Sequence, residues 1–229
     1  MPSPSVISNK LYSLDGNIGS GKSTLLRQLK ERLTKTVYDK EIIYVDEPVD
    51  QWSILKDSNG ESILEKFYKD QKKYSFSFQM MAYISRLVRI KDAMKEHPNA
   101  IIITERCVRT DKHVFAQMLY DDGLIEEIDF KIYLQWFEHF IEDIPFCGII
   151  YVNTKPEICY ERIAKRNRNG ESNISLEYLK KCDKYHQKYT KHFEYSNVHA
   201  LYLDGNVDMD ENKELYDNHI HNVRIFVAR

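Results

Sequence analysis

Short, almost continuous apolar runs alternate along the chain with longer segments that contain polar residues. Five such runs lie at residues 10–14, 41–45, 100–104, 148–152 and 199–203. A strand that is covered on one face alternates apolar and polar side chains, whereas a strand buried on both faces is apolar throughout. The runs therefore predict a roughly five-stranded parallel sheet flanked by helices, an α/β doubly wound architecture. In such sheets, ligands bind at the carboxyl ends of the strands.

Helix signals lie between these runs. One helical stripe consists of Leu25, Leu26, Leu29 and Leu33. Residues 76–96 contain neither proline nor glycine, which predicts one long helix that ends before His97 and Pro98. Thr154 has the spacing of a capping box with proline in the first turn, and Ser175 is the predicted cap of a helix that runs toward Tyr195.

The composition fits one folded domain over residues 1–229, with residues 1–9 as a short flexible arm. Hydrophobic residues make up 42% and aromatic residues 12% of the chain, which is enough for a core without a metal or disulfide staple. The formal net charge is −2, from 33 basic and 35 acidic side chains. This balance argues against nucleic acid or an anionic membrane as the main partner.

The four cysteines form no CxxC pattern and no zinc-like spacing with histidine, so they are expected to be reduced thiols. No apolar run approaches the ~20 residues of a membrane span. The first ten residues resemble neither a signal peptide nor a transit peptide. A soluble, cytoplasmic protein is the expectation from these features.

Residues 16–23 read Gly-Asn-Ile-Gly-Ser-Gly-Lys-Ser, which satisfies the G-x-x-x-x-G-K-[ST] motif between the first strand and the leucine-rich helix. The glycines allow backbone N–H groups to surround phosphate oxygens, Lys22 neutralises phosphate charge, and Ser23 offers a hydroxyl to Mg²⁺. The predicted ATP-binding segment is Gly16, Asn17, Ile18, Gly19, Ser20, Gly21, Lys22, Ser23 and Thr24. The motif indicates nucleotide binding without naming the reaction.

Two carboxylates follow predicted strands and are candidates for the chemistry. Glu47 comes after the second run and Glu105 after the third, so both are expected at the carboxyl edge near the terminal phosphate of the nucleotide. A metal ion and a hydroxyl nucleophile would require them for different tasks. The alternatives are a turn residue before Pro48 for Glu47, and a salt bridge to Arg106 or a helix-start acid for Glu105.

A basic helix end that enters a flexible loop, about residues 162–173, predicts a lid over ATP. Its cations include Arg162, Arg166 and Arg168. Like charges crowded at one helix end repel each other and become favourable when phosphates arrive. The alternative is a solvated helix end whose cations interact with the helix dipole.

At this point the chain resembles the deoxyribonucleoside kinase family, in the branch of deoxycytidine, deoxyguanosine and deoxyadenosine kinases. The resemblance covers nearly the whole chain and rests on residues 16–23, 47–49, 68–86, 105–106, 162–168 and 203–204, with Trp52 and Asp111. It implies a P-loop kinase with a closing lid that transfers the γ-phosphoryl of ATP to the 5′-hydroxyl of a deoxynucleoside in nucleotide salvage. It also implies a homodimer.

The resemblance assigns the catalytic roles. Glu47 matches the general base for the 5′-hydroxyl, Arg106 holds that hydroxyl and the transferring phosphoryl, and Lys22 binds the phosphates. Glu105 matches the acid that works with Ser23 around Mg²⁺.

The same resemblance assigns the nucleoside contacts. Tyr68 and Glu171 match the pair that bonds the sugar 3′-hydroxyl, and Trp52 and Phe78 match the walls around the base. Gln79 matches the amide that reads the base edge. An amide suits this task because it presents a donor and an acceptor side by side.

Base preference depends on one helical face. Gln79, Ala82 and Arg86 stand at i, i+3 and i+7, and Asp111 matches the family carboxylate that pairs with the arginine. In the family this pair accompanies the use of deoxycytidine and purine deoxynucleosides and poor use of thymidine. An ordinary surface ion pair between Arg86 and Asp111 is the alternative.

Two positions depart from the family pattern. Cys107 stands where the family usually has serine, and Met209 stands where relatives often have an aromatic residue near the ATP adenine. The neighbouring Asp208 is a predicted ATP contact. The rival functions are a nucleoside monophosphate kinase, which would need extra cations for the acceptor phosphate, and a non-catalytic nucleotide-binding relative.

Overall fold

A six-stranded sheet lies at the centre of the protein. The computed structural model describes residues 9–33, 36–37, 39–168, 171–195, 198–207 and 212–228. The strands are β1 (Lys10–Asp15), β2 (Thr36–Val37), β3 (Lys40–Val45), β4 (Ile101–Glu105), β5 (Phe146–Asn153) and β6 (His199–Asp204). Their order is β2-β3-β4-β1-β5-β6, and all neighbouring pairs except β2 with β3 are parallel.

The five predicted strands are confirmed as β1, β3, β4, β5 and β6. The additional strand β2 pairs antiparallel with β3, with Thr36 opposite Glu41 and Val37 opposite Lys40. Two residues are too short a stretch to give a periodic signal in the sequence. The helices on both faces of these strands confirm the predicted α/β doubly wound architecture.

Ten helices in the described residues surround the sheet. They are α1 (Lys22–Arg32), α2 (Val49–Ile54), α3 (Ile63–Lys69), α4 (Gln71–Glu96), α5 (Val108–Thr110), α6 (Gln117–Asp121), α7 (Glu127–Ile141), α8 (Pro156–Arg166), α9 (Leu176–Lys191) and α10 (Lys213–Val227). A π-helical segment (Asp111–Ala116) joins α5 to α6, and 3₁₀ turns are formed by Glu171–Asn173 and His192–Tyr195.

The sequence signals for helix ends are confirmed with one exception. The long helix α4 ends at Glu96, as predicted, and begins earlier, at Gln71, where the side chain of Asp70 accepts a hydrogen bond from the Lys73 amide. The hydroxyl of Ser175 caps α9 by accepting from the Tyr178 amide at 3.1 Å.

The predicted capping box at Thr154 is wrong. The N-cap position of α8 is Lys155, and no side chain caps it. The hydroxyl of Thr154 instead donates to the carbonyl oxygen of Ser20 at 3.0 Å. This contact connects the end of β5 to the glycine-rich loop, so a long-range tether replaces the local cap. Pro156 does occupy the first turn, as predicted.

The sheet separates two apolar clusters. Ile102 of β4 packs with Tyr83 and Ile90 of α4 on one face, while Ile101 and Ile103 pack with α1 and α10 on the other. The leucine stripe of α1 lies in this second cluster. Two-sided burial therefore explains why the strand sequences are continuous apolar runs.

The cysteines and the helices bear on the expectations for thiols and membrane spans. The four cysteines are free. Within the described part of the chain, no helix is both long and apolar enough to cross a bilayer.

The arm predicted for residues 1–9 lies outside the described residues except for Asn9. The side-chain amide of Asn9 donates to the carbonyl oxygen of His97 at 2.8 Å.

Candidate active site

A cavity of about 350 Å³ opens beside the residues that follow β1, β3 and β4. The predicted site residues that line it are Ile18, Gly19, Gly21, Lys22, Ser23, Thr24, Glu47, Trp52, Tyr68, Phe78, Gln79, Ala82, Arg86, Glu105, Arg106, Asp111, Arg162, Arg166, Arg168 and Glu171. Gly16, Asn17 and Ser20 belong to the same loop behind this lining, and Asp208 and Met209 lie outside the described residues. Residues distant in sequence thus share one cavity.

The loop between β1 and α1 depends on glycine at specific positions. Gly16, Gly19 and Gly21 have φ angles of 147°, 79° and 99°, which L-residues with a Cβ rarely adopt. A Cβ on Gly16 would lie 2.6 Å from the carbonyl oxygen of Val152, and a Cβ on Gly19 would lie 2.6 Å from that of Cys159. The backbone is therefore shaped for a phosphate cradle at the start of α1.

Lys22 is buried and folds over its own loop. Its Nζ donates to the carbonyl oxygen of Asn17 at 2.6 Å and to the Ser20 hydroxyl at 3.4 Å. Burial, with a further contribution from the Arg106 guanidinium, lowers the pKa of Lys22 to about 7 against the opposing effect of nearby carboxylates. A bound phosphate would favour the charged ammonium, because it supplies an opposite charge at close range.

Ser23 and Glu105 form a pair of oxygen groups at the cavity. The Ser23 hydroxyl donates to Oε1 of Glu105 at 2.7 Å. Among the described residues, no three His, Cys, Asp or Glu side chains cluster as a metal site. Mg²⁺ in phosphate sites needs only one or two protein oxygen ligands, since phosphates and water supply the others. The hard oxygen donors present here fit that ion.

Glu47 lies between two guanidinium groups. Its Oε1 accepts from Nη1 of Arg106 at 2.6 Å and from Nη2 of Arg86 at 3.1 Å. Burial raises the pKa of Glu47, but Arg106, Arg86 and Lys22 together outweigh it and hold the pKa at about 2. The carboxylate is therefore ionised at neutral pH. Its hydrogen bonds to two arginines that are distant in sequence are not required of a turn residue before Pro48, which was the alternative.

Arg86 and Asp111 form a buried bidentate ion pair. Nε of Arg86 donates to Oδ2 of Asp111 at 2.9 Å, and Nη2 donates to Oδ1 at 3.2 Å. Both side chains are 3% exposed, so the alternative of a surface pair is wrong. A planar fork held by two oxygens has one orientation, which suits recognition of a flat base.

The part of the cavity near Trp52 and Phe78 has aromatic walls. Phe78 packs edge-on against Trp52, with ring centroids 5.4 Å apart, and stacks on Phe67 at 4.5 Å. Nε1 of Trp52 donates to the Ser85 hydroxyl at 2.9 Å, which fixes the indole. Within the described part of the chain, the buried Oε1 of Gln79 has no hydrogen-bond partner, so an acceptor is available there.

The cations of the predicted lid are partly neutralised by Glu171. Arg166 donates to both carboxylate oxygens at 2.7 to 2.9 Å, and Arg168 reaches one of them at 3.4 Å. Repulsion among the arginines is thus reduced by a carboxylate that lies in the same segment. Tyr68, which the resemblance pairs with Glu171, also lines the cavity.

Arg162 has a different environment from the other lid arginines. Its Nη1 donates to the carbonyl oxygen of Gly205 at 2.8 Å, and Nη2 donates to that of Val207 at 3.1 Å. It therefore fastens the turn that follows β6 while also lining the cavity.

Sequence reasoning missed several lining residues. They are Val49, Leu64, Phe67, Phe115 and Tyr178. Four of them are apolar, and the sequence gives no feature that separates a cavity wall from an ordinary core residue. Phe115 had the best available signal, because it stands four residues after Asp111 in the sequence. In the structure, the Arg106 guanidinium lies 5.1 Å from the Phe115 ring centroid.

Comparison with known proteins agrees with this geometry. The family model for deoxynucleoside kinase matches residues 12–228. The chain belongs to the deoxynucleoside kinase family. It is accordingly an ATP-dependent deoxynucleoside kinase.

Three curated relatives illustrate the similarity. A probable deoxycytidine kinase of fowlpox virus is 32% identical over 96% of this chain and 89% of the relative. Human deoxycytidine kinase is 31% identical over 96% of this chain and 91% of the relative. The mitochondrial deoxyguanosine kinase of Xenopus laevis is 28% identical over 96% and 90%.

Cys107, one of the two departures from the family pattern, is fully buried in this kinase. Its sulfur lies 3.7 Å from the hydroxyl of Thr110, at the start of the segment that carries Asp111. Burial raises the pKa of the Cys107 thiol, which keeps it neutral. The thiol therefore packs behind the site and does not line the cavity.

Removal of the Lys22 ammonium tests the phosphate end of the site. Lys22→Ala is expected to lower kcat by about 100-fold or more, because charge stabilisation of the transferring phosphoryl is among the largest catalytic effects. Lys30→Ala is the matched control, since Lys30 lies on the same helix in an exposed pair with Asp46. The measurement is steady-state phosphorylation with ATP and Mg²⁺. Equal activity of the two variants would contradict the assignment.

Proposed function

We propose that this kinase transfers the γ-phosphoryl of ATP to the 5′-hydroxyl of deoxycytidine and purine deoxynucleosides, uses thymidine poorly, and acts in nucleotide salvage. The observation that carries the proposal is the buried Arg86–Asp111 pair beside the unpartnered amide oxygen of Gln79. The family membership supplies the reaction, and the names of the relatives support deoxycytidine and deoxyguanosine as acceptors.

Glu47 acts as the general base in this proposal. Both of its hydrogen bonds from described residues fall on Oε1, so Oε2 remains available to the 5′-hydroxyl proton. Arg106 contacts Glu47 and the carbonyl oxygen of Gly16, which places its cation between the base and the phosphate loop. It can therefore stabilise the charge that develops on the transferring phosphoryl.

The phosphate side offers oxygen ligands for a metal ion together with cationic side chains. Ser23 and Glu105 would hold Mg²⁺, which would supply positive charge to neutralise the phosphates. Lys22 binds phosphate oxygens from within the loop. Arg166 and Arg168 contribute further positive charge from the lid side of the cavity.

Glu47→Gln tests the base. General-base catalysis typically contributes about 10²- to 10⁴-fold, so kcat should fall by that factor while the KM of the deoxynucleoside changes little. Asp46→Asn is the control, because Asp46 is the adjacent carboxylate and is 61% exposed. Since the pKa of Glu47 is held at about 2, protonation of this group should not lower the wild-type kcat between pH 8 and pH 5. A fully active glutamine variant would contradict the role of Glu47.

A panel of the four natural deoxynucleosides tests base preference. Thymidine should give the lowest kcat/KM, and the double variant Arg86→Met with Asp111→Ala should raise the ratio of thymidine to deoxycytidine use. Arg86→Met leaves the buried Asp111 carboxylate without its arginine, and Asp111→Ala removes the bidentate partner of Arg86, whose remaining carboxylate partner is Glu47. The singles should therefore be less stable than the double in thermal unfolding. A wild-type preference for thymidine would overturn the proposed specificity.

We also propose a homodimer, because α4 and α7 share an exposed apolar face. The α4/α7 face consists of Ile84, Val88, Ile128, Ile132, Trp136 and Phe140, each 37–65% exposed. The hydroxyl of Tyr83 donates to the carbonyl oxygen of Trp136 at 3.1 Å and joins the two helices. Ion pairs such as Lys131 with Glu127 supply both charge signs beside this face. A second copy related by a two-fold axis suits such a self-complementary surface.

Charge placed on this face should dissociate the dimer. Ile132→Glu combined with Trp136→Glu is expected to shift the mass in light scattering from twice 27.2 kDa to 27.2 kDa. Ile225→Glu on α10 is the control, since Ile225 is 47% exposed outside the α4/α7 face. A wild-type monomer, or a variant that stays dimeric, would contradict the homodimer.

A further inference from the structure

Arg86 contacts more than its aspartate partner. Besides the two hydrogen bonds to Asp111, its Nη2 donates to Oε1 of Glu47 at 3.1 Å, and its Nη1 donates to the carbonyl oxygen of Glu105 at 2.9 Å. The guanidinium also lies 5.7 Å from the ring centroid of Trp52. One rigid group therefore connects the base slot, the end of β4 and the proposed catalytic carboxylate.

The shape of a guanidinium makes these contacts interdependent. Its donors lie in one plane at fixed angles, so the fork cannot turn toward one acceptor without leaving another. Arg86 is 3% exposed, and it has acceptors on all three of its nitrogen atoms. A displacement of Arg86 by a poorly fitting base must therefore disturb its contact with Glu47.

Glu47 needs two contacts for a defined orientation. The Arg106 hydrogen bond at 2.6 Å fixes the position of Oε1 but leaves the carboxylate free to rotate about that atom. Arg86 approaches the same oxygen from a different element, α4, and restricts this rotation. With both arginines on Oε1, the second oxygen Oε2 keeps a fixed direction toward an incoming hydroxyl.

We propose that Arg86 is a positioning residue for phosphoryl transfer: it orients Glu47 and thereby couples a correctly seated nucleobase to the readiness of the catalytic base. This inference rests on the proposed role of Glu47. It goes beyond base recognition, because a pure recognition residue acts on binding, whereas this one also acts on kcat. Discrimination against an ill-fitting base should consequently appear in kcat as well as in KM.

A double-mutant cycle on kcat tests the coupling. The first variant combines Arg86→Met with Asp111→Ala, which removes both buried charges together. Its kcat is measured with saturating deoxycytidine, ATP and Mg²⁺. In the wild-type background kcat should fall about 10- to 100-fold, as expected for a misaligned catalytic group. In the Glu47→Gln background the same pair should lower kcat less than about 3-fold, because no base remains to be oriented.

The matched control is Arg89→Met with Asp50→Ala. Arg89 lies one turn after Arg86 on α4, and it forms a bidentate ion pair with Asp50 at the surface. The control pair should leave kcat within about 2-fold of wild type, since exposed pairs contribute little.

Arg86→Lys separates geometry from charge. The lysine keeps a cation next to Asp111, so folding should persist in thermal unfolding, but one ammonium cannot replace the planar fork. We expect kcat to remain at least about 10-fold below wild type. Wild-type kcat in this variant would overturn the positioning role, as would equal effects of the double substitution in both Glu47 backgrounds or an effect on KM alone. If Glu47→Gln itself retains wild-type kcat, the proposed base is wrong and the positioning role is overturned with it.

Discussion

The pairing of charges buried at the carboxyl edge of the sheet constrains the rest of this structure. Four charged side chains at this edge are almost completely buried: Glu47, Arg86, Arg106 and Asp111. An unpaired charge at such a position would cost several kcal/mol of folding free energy. Each of these side chains comes from a different part of the chain: the segment between β3 and α2, the middle of α4, the residue after β4 and the π-helical segment. Their pairing therefore requires those elements to meet at defined positions.

Local backbone geometry accommodates this network. Arg106 has a φ of 58°, which is uncommon for a residue with a side chain and costs of order 1–3 kcal/mol. Its amide still donates to the carbonyl oxygen of Leu14, so the chain leaves β4 in contact with β1. The following π-helical segment places Asp111 and Phe115, four residues apart, on the same cavity. Such segments are rare and are frequent at functional sites.

The sequence predicts those features whose physical cause is local. Two-sided burial makes each strand a continuous apolar run. The glycine spacing at residues 16–23 follows from the backbone conformation of a phosphate loop, so it is visible in the sequence. The role of Thr154 was not predictable, because its partner Ser20 is 134 residues away. The same limit applies to Tyr178, which reaches the cavity through the packing of α9.

The charge of the cavity lining differs from that of the whole chain. Six cationic and four anionic side chains line it, although the chain has a net charge of −2. Burial opposes the charged form of both Lys22 and Glu47, and both pKa values are lowered, but the consequences are opposite. Three cations around Glu47 outweigh its burial and keep the carboxylate ionised, whereas burial and the Arg106 cation disfavour the charged form of Lys22. Like charges in this lining repel each other, and an anionic phosphate group would offset the surplus of basic side chains. Such an arrangement favours ligand binding and transition-state stabilisation over the stability of the free protein.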